Sequence, residues 1–491
     1  MVCWQIILLN KQSLGMGDFL DKNKDSLRIA AATAAALAVI VMLQTDGGKR
    51  RVQKVVIVPM RAVASLLLSG VGFMSNFVVD LVYHKTDKWD EVLKSVDEFI
   101  QRSGLKDEME KGVNDRFLGN LAILMQLQAH LPRRLEEAPA STPRSSPDAV
   151  LPTIEMAQRY MKFASAVYGD DMLAAVQVEV DGTVKHKPGD TLKDDIAGHL
   201  GVKPEDVIVA DMDRGGSMEY LKHMIVIDHE QKAIVLAVRG TFSLSGVVVD
   251  LAGYAAEFCG GEAHSGMAQM ARAVWSKAIA HVKDALWRHE GYKLILTGHS
   301  LGAGVACLMN ILVHHDKILP GHHDVRCMAY APPPVFHPLS AAKEAVATTT
   351  AYVHNMDIVP SLSVAAIRRL LATVSSLDTC IRQLPIKDRS LWRIGLMMGY
   401  EKPNQALLES IRVAKEEALE DMDGAPVLAI PAQDIVWLED TSKDDEPSFA
   451  VHQLDPEGYA CRLMDIENTM LGDHMPPQYE KAFHYAVSPV T

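Results

Sequence analysis

The stretch 294–312 reads LILTGHSLGAGVACLMNIL, and it leaves little freedom of structure. Its first residues form an apolar run suited to a buried strand, and its last part is a run of small and apolar residues suited to a buried helix. Between them Gly298-His299-Ser300-Leu301-Gly302 must reverse the chain within one turn. A G-x-S-x-G turn of this kind strains the backbone of its central residue, and the glycines remove Cβ atoms that would collide with the strand and the helix. Ser300 Oγ is thereby presented above the C-terminal edge of a sheet. The amide of Leu301 and the positive end of the helix dipole face the same point, so negative charge developing there meets preset donors.

Around this turn the pattern alternates between strands and helices. Strands are predicted over 224–228, 233–238, 293–297, 325–331 and 351–354, and helices over 153–168, 266–289 and 300–314. That alternation is the signature of an α/β fold with a mostly parallel sheet covered by helices. At 491 residues with 48% hydrophobic side chains, the chain can bury a large core. Its 49 Lys and Arg against 62 Asp and Glu leave a net charge of −13, which argues against nucleic acid as a partner. Six cysteines without a CxxC pair fit neither a disulfide framework nor a zinc site, and reduced thiols facing the cytosol are expected.

The organisation falls into three parts: a helical N-terminal region over 1–131, a linker rich in Pro and Ser over 132–152, and a catalytic domain over 153–491. Prolines at 132, 139, 143, 147 and 152 interrupt helix and strand alike, which places the boundary there. Segments 29–43 and 62–79 carry no charged side chain, and both approach the length of about 20 residues that a spanning helix needs. Lys49, Arg50, Arg51, Lys54 and Arg61 lie between them and suit the cytoplasmic headgroups of a membrane. A membrane hairpin or interfacial anchor is one reading, and a pair of Ala-rich helices packed on the globular domain is the other. The apolar run 6–9 has no basic segment before it and no cleavage site after it, so no cleaved secretory signal is expected.

A serine at its free pKa is a weak nucleophile, and it needs a histidine base oriented by a carboxylate. Behind a turn of this type these follow in the order Ser, Asp, His. Asp357, in AYVHNMDIVPSL, stands directly after a short strand and just before Pro360, where a strand-end loop presents it at the sheet edge. Beyond it lie His452, His474 and His484. Only His474 occupies a polar loop bounded by proline, LGDHMPPQYEKAF, while His452 sits in a strand pattern and His484 in a helix. The second oxyanion donor falls to Thr241, since VLAVRGT ends a strand at Val238 and brings the Thr241 N–H and hydroxyl towards the turn. Asp250 is placed to brace that loop from behind.

Together RGT at 239–241, HSG at 264–266, GHSLGAG at 298–304, HNMDIVP at 354–360 and DHMPPQY at 473–479 resemble the class 3, or fungal-type, lipases. The GGEAHSGM stretch and the spacing are most similar to the sn-1-specific diacylglycerol lipase branch. The resemblance covers about 153–491. It implies an α/β-hydrolase fold and a serine lipase acting on diacylglycerol or related acylglycerols at a membrane or droplet surface. It further implies Ser300, Asp357 and His474 as the triad, Thr241 and Leu301 as oxyanion donors, Gly298, Gly302 and Asp250 in support, and neither metal nor organic cofactor. A phospholipase A1 or galactolipase is the neighbouring alternative, because the turn sets the ester chemistry and not the headgroup. A catalytically silent lipase-like scaffold is the alternative of another class. The N-terminal region has room for at most two spans and departs from the animal diacylglycerol lipases, which have four.

Two further features need weighing. Asp357 and His474 are separated by far more chain than a strand and loop require, and the surplus at about 361–424 is rich in Leu, Ile and Met. It reads as an insertion over the site, with Trp392, Met397, Met398 and Tyr400 facing lipid, or as helices packed on the core. His314, His315, His322, His323 and Asp324 suggest a metal site at first sight. Adjacent residues do not converge on one point, however, and a solvated loop is expected.

Overall fold

The computed structural model describes residues 117–128, 147–169, 191–211, 222–241, 255–319, 324–383, 427–442, 447–460 and 472–487, with isolated positions between them. Segments 29–43 and 62–79, with the basic residues between them, lie outside the described residues, as do Asp250, Trp392, Met397, Met398 and Tyr400. Among the described residues no helix is long and apolar enough to cross a membrane.

In chain order the elements are α1 (Phe117–Gln128), α2 (Pro147–Ala166), α3 (Leu192–Leu200), β1 (Val207–Asp211), β2 (His223–Asp228), β3 (Ala233–Val238), β4 (Ala255–Phe258) and β5 (Gly261–His264). They continue with α4 (Ser265–Arg288), β6 (Lys293–His299), α5 (Leu301–His315), β7 (Val325–Tyr330), β8 (Phe336–His337), α6 (Lys343–Ala347) and β9 (Thr349–His354). The last are α7 (Val364–Gln383), β10 (Asp434–Asp440), β11 (Phe449–Leu454), α8 (Pro456–Ala460) and α9 (Pro476–Val487).

Among the described residues eight strands form the main sheet in the order β1-β2-β3-β6-β7-β9-β10-β11. The five from β3 to β10 run parallel, and antiparallel strands close both edges. A small antiparallel sheet, β4-β5-β8, stands beside it. This is the α/β-hydrolase arrangement that the resemblance implies, with the nucleophile turn at the C-terminal end of β6 in the middle of the parallel strands.

Alternation along the strands builds two cores. On β3, Ile234, Leu236 and Val238 pack with α4 and α5, while Ala233, Val235 and Ala237 face α2 and α9. Strand β6 repeats this with Leu294 and Leu296 on one side and Ile295 on the other. Strands buried on both faces read as continuous apolar runs, which is why β3 is AIVLAV and why its predicted bounds coincide with the observed ones. Strand β6 runs two residues further than predicted, to His299, because Gly298 and His299 stay paired with Ala329 and Tyr330 of β7.

Helix α2 starts at Pro147, inside the segment read as linker, rather than at Thr153. Proline has no N–H to lose in the first turn of a helix, so a proline-rich stretch can open one. The described part of the 361–424 insertion, α7, is packed: Ala366, Leu370, Val374, Leu377 and Ile381 form a buried stripe. Helix α1 of the N-terminal region lies against it, with a buried hydrogen bond of 3.0 Å from Asn120 Nδ2 to Asp378 Oδ1. Gln128 at the end of α1 accepts the Ile466 N–H at 2.9 Å.

Arg159 joins α2 to the end of β2, pairing with Asp228 and with the exposed Glu230. Arg159 holds the wholly buried Asp228 of β2 through two bonds of 2.7 Å. Removing one partner of a buried pair leaves the other charge stranded, at a cost of about 3–5 kcal/mol. Arg159→Met is therefore expected to lose about that much stability, read from the denaturation midpoint, whereas Arg326→Met, whose partner Asp324 is exposed, should lose less than about 1 kcal/mol.

Candidate active site

The turn after β6 has the geometry that its residues demand. Ser300 adopts φ 60° and ψ −130°, a strained conformation for a residue with a side chain. Its own N–H is held by Tyr330 O at 2.9 Å, and its carbonyl accepts from Ala303 and Gly304 in the first turn of α5. Gly298 and Gly302 let helix and strand meet: a Cβ on Gly298 would lie 2.5 Å from Gly302 C, and one on Gly302 would overlap Val238 O. The same contact sets α5 against the end of β3.

The residues expected to form a triad are brought together. His474 Nε2 stands 2.9 Å from Ser300 Oγ, and His474 Nδ1 lies 2.9 and 3.0 Å from the two oxygens of Asp357. A carboxylate only accepts, so the proton of the neutral imidazole is on Nδ1 and the Nε2 lone pair faces the serine hydroxyl. Burial pushes the Asp357 carboxyl up, but His474, the Tyr479 hydroxyl and the Val359 N–H together outweigh it and hold Asp357 below its ordinary value. It is thus ionised where it faces His474. Ser300 and Asp357 have no exposed surface and His474 very little.

Thr241 follows Gly240, whose backbone lies against the turn: a Cβ there would come within 2.5 Å of His299 O and 3.2 Å of Ser300 Cβ. Leu301 is the first residue of α5, where N–H groups have no partner within the helix. Gly240, the residue before Thr241, and Leu301 thus both adjoin Ser300.

Other expectations resolve differently. His452 is in β11, bonded to Glu439 at 3.0 Å, and His484 is in α9, so neither reaches Ser300. His264 of the HSG motif caps α4 by accepting the Met267 N–H at 3.3 Å. In the histidine-rich segment, His315 pairs with Asp316 at 2.7 Å and His314 faces Thr348 at 3.3 Å. His322 and His323 lie outside the described residues.

Sequence reasoning overlooked the groups that surround the triad. Tyr479 on α9 donates its hydroxyl to Asp357 Oδ2 at 2.7 Å and accepts the His354 N–H at 3.0 Å. Asp473, next to His474, accepts from Asn355 Nδ2 and the Met356 N–H at 3.0 and 3.2 Å, while its carbonyl receives His354 Nδ1–H at 2.9 Å. The loops that carry acid and base are thus stitched to each other on both sides of the reacting chain. His299 and Tyr168 make a second set of bonds beneath it: His299 Nε2 is 2.8 Å from the His474 carbonyl, and His299 Nδ1 is 3.1 Å from the Tyr168 hydroxyl. All but Tyr168 lie inside or beside the quoted motifs, and only their three-dimensional neighbours reveal the roles.

The Tyr479 bond has a measurable consequence. A carboxylate whose pKa is depressed on folding contributes stability that is full above its unfolded value and is lost as pH falls through the folded one. Tyr479→Phe removes a donor, so the folded value of Asp357 rises. Stability at neutral pH should fall by about 1.5–3 kcal/mol, the usual contribution of a hydrogen bond to a charged group, and the acid-unfolding midpoint should move to higher pH. Thermal unfolding followed from pH 7 to pH 3 checks the direction.

Comparison with known proteins finds similarity over the part of the chain that holds Ser300 and Asp357. Residues 235–366 match the family model "Lipase (class 3)". Mouse diacylglycerol lipase-beta is 31% identical over 170 residues, which is 32% of this chain and 24% of that protein. The secreted mono- and diacylglycerol lipase A of Penicillium cyclopium is 31% identical over 142 residues, 28% of this chain and 45% of that one. A crystal structure of the mono- and diacylglycerol lipase of Aspergillus oryzae superposes with a TM-score of 0.33 and 25% identity over 43% of this chain and 73% of the other. The chain therefore spans less than half the length of the curated relatives named here.

Proposed function

We propose that this chain, which carries a class 3 lipase segment at 235–366, is a serine lipase that cleaves acyl esters of diacylglycerol or related acylglycerols. The observation that carries the reading is the unbroken line from Asp357 through His474 to Ser300 at the strained turn. The relatives named as diacylglycerol lipases and mono- and diacylglycerol lipases support the substrate class.

In this reading Ser300 Oγ attacks the ester carbonyl as His474 Nε2 takes its proton, and Asp357 stabilises the imidazolium that results. The amides of Leu301 and Thr241 hold the tetrahedral oxyanion, and each such donor is worth about 10²–10³-fold in rate. His474 returns the proton to the departing glyceride oxygen, leaving an acyl-enzyme. Water, activated by His474, then releases the fatty acid and restores Ser300. Gly298 and Gly302 support the turn and Asp250 braces the loop of Thr241. The scheme uses neither metal nor organic cofactor.

The substrate lies in a membrane or at a droplet surface, and segments 29–43 and 62–79 with their basic residues are suited to hold the chain there, the catalytic domain facing the cytosol. Fatty-acid release by the full chain and by Ser300→Ala, measured side by side on dispersions of diacylglycerol, triacylglycerol and phosphatidylcholine, tests the reading. Release is expected to be greatest on diacylglycerol and to vanish in the variant. Preference for phosphatidylcholine would instead identify a phospholipase A1, and no Ser300-dependent release on any of the three would identify a silent scaffold.

A further inference from the structure

His299 is the first of the two variable residues of the G-x-S-x-G turn, and its ring is enclosed by protein. It lies in the protein interior with its ring 4.7 Å from that of His474 and 5.6 Å from that of Tyr479. Its two nitrogens have unlike partners. A carbonyl can only accept, so Nε2 carries the proton and donates it to the backbone oxygen of His474 at 2.8 Å. Nδ1 is then a bare lone pair, and the Tyr168 hydroxyl donates to it at 3.1 Å. The Tyr168 oxygen in turn lies against the backbone of Gly240, the residue before Thr241, where a Cβ would overlap it. Four chain segments far apart in sequence thereby meet in one line: the Gly240 backbone against Tyr168, Tyr168 O–H to His299, and His299 N–H to the backbone of His474.

We propose that Tyr168 and His299 are positioning residues, a hydrogen-bonded strut that sets the distance between the Gly240–Thr241 turn and the backbone of His474, and so places oxyanion donor and base together about Ser300. This rests on the assignment of Ser300, His474 and Thr241 to catalysis made above. The strut explains why this position is histidine. The site requires a rigid group with a donor at one end and an acceptor at the other, neutral throughout. Burial, followed by the neighbouring His474, pushes the His299 pKa down to about 3, so His299 stays uncharged beside the imidazolium that forms on His474 during turnover. A cation there would oppose that charge at close range.

Amide side chains separate the two ends of the strut. Glutamine at 299 can place an N–H where Nε2 now stands, keeping the bond to His474. Asparagine can place an acceptor where Nδ1 stands but cannot reach the His474 carbonyl. The full chain, His299→Gln, His299→Asn, Tyr168→Phe and Ser300→Ala are compared by the rate of fluorophosphonate labelling, by kcat and KM on diacylglycerol dispersions, and by Tm. His299→Asn is expected to lower labelling rate and kcat by about 10- to 100-fold with KM within about twofold, the scale of loss for a catalytic group misplaced by about 1 Å. His299→Gln and Tyr168→Phe, which break the line at its other link, should show losses of the same order. Losses that only track Tm, or that appear in KM rather than kcat, would mean that the ring is packing and would overturn the strut. Should His299→Asn fail to fold, Tyr168→Phe, which keeps the ring, decides the matter: parental kcat in that variant overturns the proposal. A parent whose labelling does not depend on Ser300 would overturn the catalytic assignment itself, and the strut with it.

Discussion

Ser300 holds φ 60° and ψ −130°, and a residue with a Cβ keeps such a conformation only where its surroundings impose it. Here the imposing contact is the approach of α5 to the end of β3, where Gly302 lies against the backbone of Val238, Arg239 and Gly240. That approach also holds the backbone of Gly240 against His299 and Ser300. Any side chain at 302 would separate β3 from α5 and move Ser300 away from the backbone of Gly240.

The electrostatics of the site follow from what is buried with it. A carboxylate with no exposed surface is costly unless bonded, and Asp357 accepts from His474, Tyr479 and Val359. These bonds make the acid a fixed negative charge rather than one that comes and goes with pH. His299, buried beside it, is treated in the opposite way and is kept neutral by the same lack of water. Two histidines whose rings lie 4.7 Å apart therefore have different tautomers and different duties, decided wholly by which partner each nitrogen meets.

Features with short-range causes were legible in the sequence. The turn is written in five consecutive residues, and the continuous apolar run of β3 announced a strand covered on both faces. Asp357 and His474 could be chosen because each stands at an element end, where loops present functional groups. The groups that act through another residue were not legible. Tyr479 reads as one more aromatic on an amphipathic helix, and its bond to Asp357 spans 122 positions. His299 meets its partner across 175 positions, and Tyr168 reads as the end of a core helix. Periodicity reports which face of an element is buried but not which buried groups will find each other. The start of α2 was missed for a different reason, because proline was weighed as a breaker in a place where it opens a helix.

Helix α1 alters what counts as a folding unit. The proline-rich stretch invites a cut between an N-terminal region and an independent hydrolase, yet α1 precedes that stretch and buries Ile123, Leu124 and Leu127. It packs on α7, and through Gln128 it also touches the segment that leads to His474. A fragment beginning at 153 would leave α7 with an uncovered apolar flank and the approach to the base without one of its anchors. Helix α1 thus belongs to the packing around α7 and to that of the segment before His474, and a single cut within the proline-rich stretch would strip it from both.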